Sequence, residues 1–211
     1  MKPKDLITLS IEKTLLEPLT QIGFTFSKST LTFKRKVNEF IQTIHFQSNR
    51  YNQENVSVEF WPSFGVSSKK YSQWHENEFG ESPLNDSVGG AMGWNINDWK
   101  LPMSNGKSQL HFQIVNEKQR ENVLTLLKNN ILNIGIPFLD NLSNWESAAY
   151  KIVEADWFHH KACDFFLIAG NKEKALWALE EGIDCWERKP KASLPQNKEK
   201  IHIRLSKYFG R

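Results

Sequence analysis

The densest run of reactive side chains is Asp156-Trp157-Phe158-His159-His160-Lys161-Ala162-Cys163-Asp164. On a helix, His159 and Cys163 stand one turn apart, as do Asp156 and His160, and His160 and Asp164. Imidazole, thiolate and carboxylate at that spacing can ligate zinc, but a structural zinc takes four ligands and each face offers two. His45, His75, His111 and His202 are scattered and supply no second pair. His159 and Cys163 are therefore the nearest approach to a metal pair, and the sequence predicts neither a metal nor another cofactor. Cys163 as a histidine-activated nucleophile would need a helix N-terminus to lower its pKa. It falls well inside the predicted helix, with no oxyanion-type loop before it. The plainer reading places Trp157 and Phe158 in the core, the histidines near a helix start, and Cys163 as a small buried residue. Cys185, beside Trp186 at a helix end, offers no more.

A second cluster is suited to recognition. Gln47, Asn49, Arg50 and Tyr51 fall where a predicted strand meets a turn. Arginine brings a planar fork for carboxylate or phosphate, and tyrosine a stacking face. Trp74 and His75 open a tryptophan-rich stretch further on. These six residues are the candidate binding residues; ordinary turn chemistry, with Arg50 in a structural ion pair, is the competing account. Gly89-Gly90-Ala91-Met92-Gly93 has neither dinucleotide-binding nor Walker spacing, and reads as a flexible loop.

The charge is uneven. Over residues 188–211 the cations Arg188, Lys189, Lys191, Lys198, Lys200, Arg204, Lys207 and Arg211 face Glu199 alone, so the remaining body is net acidic within a total of +3. A basic tail, with Lys34-Arg35-Lys36, could touch polyanions. No nucleic-acid reading motif accompanies it, and a solvated helix face explains it as well.

These clusters sit on a chain of 211 residues with 14 Phe and 8 Trp, long enough to bury a core without staples. Mean hydropathy is −0.53 and no apolar run approaches the length of a spanning helix. Lys2 and Lys4 are followed by no secretory h-region, and two unpaired cysteines suit a reducing compartment. The sequence thus predicts a cytoplasmic protein without membrane contact.

Ile7, Ile11, Leu15, Leu19 and Ile22 predict a first helix, kinked or broken before Pro18 and closed by Gly23. Leu31 and Phe33, then Phe40, Gln42, Ile44 and Phe46, then Val56, Val58 and Phe60 alternate with a period of two, as in an antiparallel meander. Pro62 should end the third strand or mark an edge. Residues 67–106 read as irregular; Leu110, Phe112 and Ile114 add a strand. Val123, Leu126, Leu127, Ile131 and Ile134 form a helical stripe stopped by Gly135 and Pro137. Ser143 as N-cap with Glu146 three residues on opens another helix. Two more helices meet at Gly170-Asn171, Pro190 and Pro195 form a linker, and Ile201, Leu205, Tyr208 and Phe209 stripe a last helix.

Leu15-Leu16-Glu17-Pro18-Leu19 leading to Gly23-Phe24, a strand ending in Phe46-Gln47-Ser48-Asn49-Arg50-Tyr51-Asn52, and a helix running into Ile136-Pro137-Phe138-Leu139 together resemble the bacterial domain-of-unknown-function 4304 family over about residues 4–153. The resemblance implies an α+β fold with helices packed on a small sheet, and carries no activity with it. The expected architecture is α+β: a small antiparallel β-meander packed by helices, with a C-terminal helical hairpin extension. Residues 1–155 form the α+β domain, and residues 156–211 a helical extension with a basic tail, packed on the same core.

With no catalytic motif, the sequence favours a non-enzymatic binding or protein-interaction domain of the immunity or inhibitor type, with another protein as partner. The alternatives are an enzyme whose site assembles dispersed His, Asp and Glu residues, marked by histidines near a tryptophan-lined cleft, and a weak nucleic-acid contact through the tail. No motif encodes an oligomeric state.

Overall fold

A computed structural model describes residues 1–54, 57–104, 106–114, 117–188 and 195–211. The chain forms two compact units, Met1–Ser68 with Ser87–Asp140, and Lys69–Asp86 with Asn141–Arg211. The fold class is α+β.

The first unit opens with α1 (Pro3–Ile11), a π turn (Glu12–Leu16) and α2 (Glu17–Gln21). Ile7, Ile11, Leu15 and Leu19 are fully buried. They recur every four residues, slightly more than the 3.6-residue turn, so their stripe would drift around a regular helix. The wider π turn takes up the drift. It also spans Thr14, whose carbonyl the Pro18 ring would otherwise strike. The expected kink is this π turn, and the helix continues through it. The same device recurs after α4 (Glu117–Asn130): the π turn Ile131–Gly135 precedes Pro137 and leads into α5 (Ile136–Leu142). Gly135 and Pro137 therefore redirect the helix instead of stopping it. Gly135 is required there, because an added Cβ would collide with the Phe64 ring.

The sheet is antiparallel, in the order β1 (Thr25–Ser27), β2 (Thr32–Val37), β3 (Phe40–Ser48), β4 (Val58–Ser67), β5 (Ser87–Met92). A short hairpin, β6 (Met103–Ser104) and β7 (Lys107–Ser108), stands apart, and β8 (Phe112–Ile114) pairs with β4 beside β5. Of the predicted third strand, Val56 lies outside the described residues. Phe33, Phe46, Phe60 and Phe112 form a file of rings, neighbouring centroids 6.1–6.3 Å apart, at the centre of the core. Gln42, on the same face of β3, is also buried, satisfied by Arg35 Nε (2.9 Å) and by its own donation to Asp140 (3.0 Å).

Pro62 neither ends β4 nor lies at an edge. Asn49 N donates to Glu59 O, so by antiparallel alternation Pro62, opposite Phe46, falls in a non-hydrogen-bonded pair. Its nitrogen faces the other side of β4. There β8 pairs residues 58–60 and β5 pairs residues 63–67, which leaves a gap at Pro62 where no ladder donor is needed. The glycine-rich run is not a loop: Gly89 and Gly90 lie in β5. A Cβ on Gly90 would strike the Phe64 carbonyl oxygen, so the strands can approach only with glycine there.

The second unit contains α3 (Lys69–Phe79), α6 (Trp145–Glu154), α7 (His159–Ile168), α8 (Lys172–Arg188) and α9 (Pro195–Phe209). The stretch read as irregular thus holds a helix, α3, whose inward residues are Tyr71, His75 and Phe79, one turn apart. Aliphatic periodicity does not reveal it, because that stripe is aromatic. Asn144, not Ser143, caps α6, its side chain accepting from Ser147 N at 3.0 Å, while Glu146 accepts from Asn171 at 2.9 Å. Asn144→Ala should lower stability by about 1 kcal/mol in urea denaturation, with an unchanged m-value. The predicted hairpin is present: Gly170 (φ +82°) ends α7, and Asn171 caps α8 through Lys174 N at 3.1 Å. Pro195 opens α9 instead of joining a linker, as its fixed φ suits a first helical turn. Pro190 lies outside the described residues.

Candidate binding surface

Strand alternation generates the candidate surface. On β3 and β4 the even-numbered residues from Phe40 to Phe46 and from Val58 to Val66 face the core. The odd-numbered ones face the other way: Thr43, His45 and Gln47 on β3, and Glu59, Trp61 and Ser63 on β4, all half-buried. Gln47 lies opposite Trp61 and accepts its indole N–H at 2.9 Å. That bond fixes the Trp61 ring, which stacks on His111 with centroids 4.3 Å apart and planes 23° apart. Trp94 completes the cluster, 6.2 Å from Trp61 and 5.6 Å from His111.

Glu59 anchors the polar side. It accepts from Asn49 Nδ2 (2.7 Å) and Gln113 Nε2 (3.4 Å), and its carboxylate lies 3.6 Å from His111 Nδ1. Asn52 brackets the Glu59 backbone like a short extra strand: its amide donates to Glu59 O at 2.8 Å and accepts from Glu59 N at 2.7 Å. Two cavities border this arrangement and share Gln113. One, about 360 Å³, is lined by Asn49, Tyr51, Asn52, Glu59 and Gln113; the other, about 200 Å³, by His111, Gln113, Pro102, Met103 and Val123.

All of these residues fall inside one family match. A family model described as Domain of unknown function (DUF4304) covers residues 15–141. The chain belongs to the DUF4304 family. No curated protein and no solved structure matches it. The DUF4304 match takes in Gln47 through Gln113 and leaves α6 to α9 outside.

Of the residues singled out in the sequence, Gln47 and Asn49 belong to the DUF4304 surface. Asn49 also turns the chain, its Oδ1 accepting from Tyr51 N at 3.0 Å. Arg50 lies over the Tyr51 ring at 4.6 Å, and Tyr51 is 71% exposed at the tip of the turn. Trp74 and His75 lie on α3, in the other unit; His75 Nδ1 is 2.7 Å from Glu81 O and Trp74 packs on Phe79. Sequence reasoning passed over Glu59, Trp61, Trp94, His111 and Gln113. A signal was available: Glu59 and Trp61 share the outward phase of a strand whose inward phase, Val58 and Phe60, is plain. His111 and Gln113 have the same spacing on β8's side.

In the cluster at 156–164 the histidines open α7 and Cys163 is buried, as expected, but the two aromatics are not in the core. Trp157 and Phe158 are 45% and 42% exposed, while His159 and His160 are buried. Cys163 is fully buried, and burial pushes its thiol pKa well up, which disfavours a thiolate. Among the described residues no three or more His, Cys, Asp or Glu side chains converge as a metal would require. Asp164 is fully buried and takes Arg204 in a two-pronged ion pair, Nε–Oδ1 2.6 Å and Nη2–Oδ2 2.7 Å. The tail is therefore not simply a solvated basic face. Arg204 is buried, Arg188 lies within 4.0 Å of Glu181, Lys207 pairs with Glu78 at 3.0 Å, and Arg211 with Glu180 at 2.7 Å. Lys189 and Lys191 lie outside the described residues.

Proposed function

We propose that this DUF4304 protein is a protein-interaction domain of the immunity or inhibitor type, with the outward face of its sheet as the contact surface. The observation that carries this is the Trp61–His111–Trp94 cluster, half-buried, braced by Gln47 and rimmed by the amides of Asn49, Asn52 and Gln113. Rigid aromatic anchors ringed by polar groups are what interface hot spots are made of. The two free, buried cysteines suit a reducing, cytoplasmic setting, and among the described residues no helix is long and apolar enough to cross a membrane.

Photo-crosslinking in the native host tests this, with the cross-linker at position 94 on the face and at position 13 as a control. A discrete protein adduct should form from position 94 only. Against that partner, Trp61→Ala should weaken binding by about 2 kcal/mol, roughly thirtyfold, with the melting transition still cooperative. Equal adducts from both positions would remove the proposal.

One observation favours a second, enzymatic reading: the Glu59 carboxylate beside His111 Nδ1 is an arrangement that orients an imidazole for proton transfer. That reading requires ester or amide hydrolysis above the solvent rate that His111→Asn abolishes and His75→Asn does not. Nucleic-acid contact through the tail has less support, since four of its cations lie within ion-pair reach of a carboxylate.

A further inference from the structure

The turn between α6 and α7 has its burial inverted. Trp157 and Phe158 point to solvent, and the two imidazoles that follow are 4% and 7% exposed. Two non-glycine residues hold it in the left-handed region, Asp156 at φ +52° and Phe158 at φ +53°. Such residues cost of order 1 kcal/mol or more each and persist only where their surroundings impose them. The imidazoles are also incompletely satisfied: among the described residues, His159 Nε2 and His160 Nδ1 are buried and have no hydrogen-bond partner. Their packing leaves no slack. A Cβ on Gly182 of α8 would come within 2.8 Å of His159 Cβ and 2.6 Å of Ile201 Cδ1 on α9.

We propose that the 156–160 turn is an acid-released latch, in which protonation of the two buried imidazoles frees the strained turn and parts α7 from α8 and α9. An imidazolium cannot stay where these rings lie. His160 faces Arg204 and Lys200 of α9 and Lys161 and His159 of its own helix, all cationic or potentially so. Asp164, the nearest acid on its helix, is already taken up by Arg204, with Tyr71 Oη 3.4 Å away. His159 faces Asp156 and Glu181, which favour its charge, and Arg188, which opposes it. Burial dominates at both: it pushes His159 down and, together with the surrounding cations, pushes His160 down to about 3. The closed form therefore disfavours the charged ring at both positions and holds His160 neutral, while the open form takes up protons at the ordinary imidazole value. Stability of the closed form is complete above that value and falls as pH drops below it.

Hydrogen exchange of the full chain, corrected for the intrinsic chemical rate, tests this between pH 7 and pH 4.5. The opening constant of α7 amides should rise about a hundredfold from His160 alone, while β3 and β4 amides change little. His160→Leu should remove most of that rise. A wild-type rise of threefold or less, or an equal rise in His160→Leu, overturns the latch. Should His160→Leu fail to fold, the wild-type imidazole resonances decide. A His160 ring that stays neutral until α7 protection is lost supports the latch, and one that titrates near its ordinary value inside the closed fold overturns it.

Discussion

Arg204→Met should destabilise the unit built from α3 and α6 to α9 by about 3–5 kcal/mol, because it strands the Asp164 carboxylate in a site with no access to water. Arg204 is buried against Phe79, its guanidinium carbon 4.5 Å from the ring centroid, and donates twice to Asp164. Methionine roughly keeps the packing and removes both donors. Asp164→Leu alone should cost a similar amount by leaving the guanidinium unpaired. The double variant, Asp164→Leu with Arg204→Met, should recover much of the loss, since replacing both ions by apolar groups of similar volume is often close to neutral. Chemical denaturation of the four proteins measures this. A double variant no more stable than the sum of the two singles would show that the pair is not a unit.

Phe60→Ala should cost about 3–5 kcal/mol in the other unit. Phe60 is fully buried in β4, between Phe46 at 6.3 Å and Phe112 at 6.1 Å, and its strand is flanked by β3, β5 and β8. Truncation leaves a cavity in the middle of the ring file, where strands paired on both sides cannot collapse into it. Exchange protection in β3, β4 and β8 should fall first. A loss below 1 kcal/mol would mean that neighbouring rings repack freely. Phe60→Leu, which keeps most of the volume, should cost less than half as much.

Much of the sheet was legible in the chain because a strand declares itself by a period of two. That period puts Phe40, Gln42, Ile44 and Phe46 on one face, and that face is the core. Even Gln42, polar among phenylalanines, fell in phase; what it pairs with did not, because Arg35 and Asp140 are 7 and 98 residues away along the chain. Prolines and glycines were the least legible. Pro62 reads as a strand end because a proline removes a ladder donor, but its consequence depends on which neighbour faces its nitrogen. The gap between β5 and β8 is a property of the assembled sheet. Gly90 reads as flexibility and serves close approach to the Phe64 carbonyl. α3 was missed because its inward stripe, Tyr71, His75 and Phe79, is aromatic and partly polar.

The reactive run at residues 156–164 shows where the limit lies. Residue types and spacing determined that a helix would carry two imidazoles, a thiol and a carboxylate, with too few ligands on any face for a metal. They also determined the α+β class, the Gly170-Asn171 hairpin and the family. Only the tertiary structure decided which way those side chains face. A left-handed Asp156 and Phe158 turn the aromatics outward and the histidines inward, and Arg204, 40 residues on, is brought to Asp164. Burial and partnership are set by chain segments remote in sequence, and they fix whether an ionisable group is a ligand, a structural ion or a site of proton uptake.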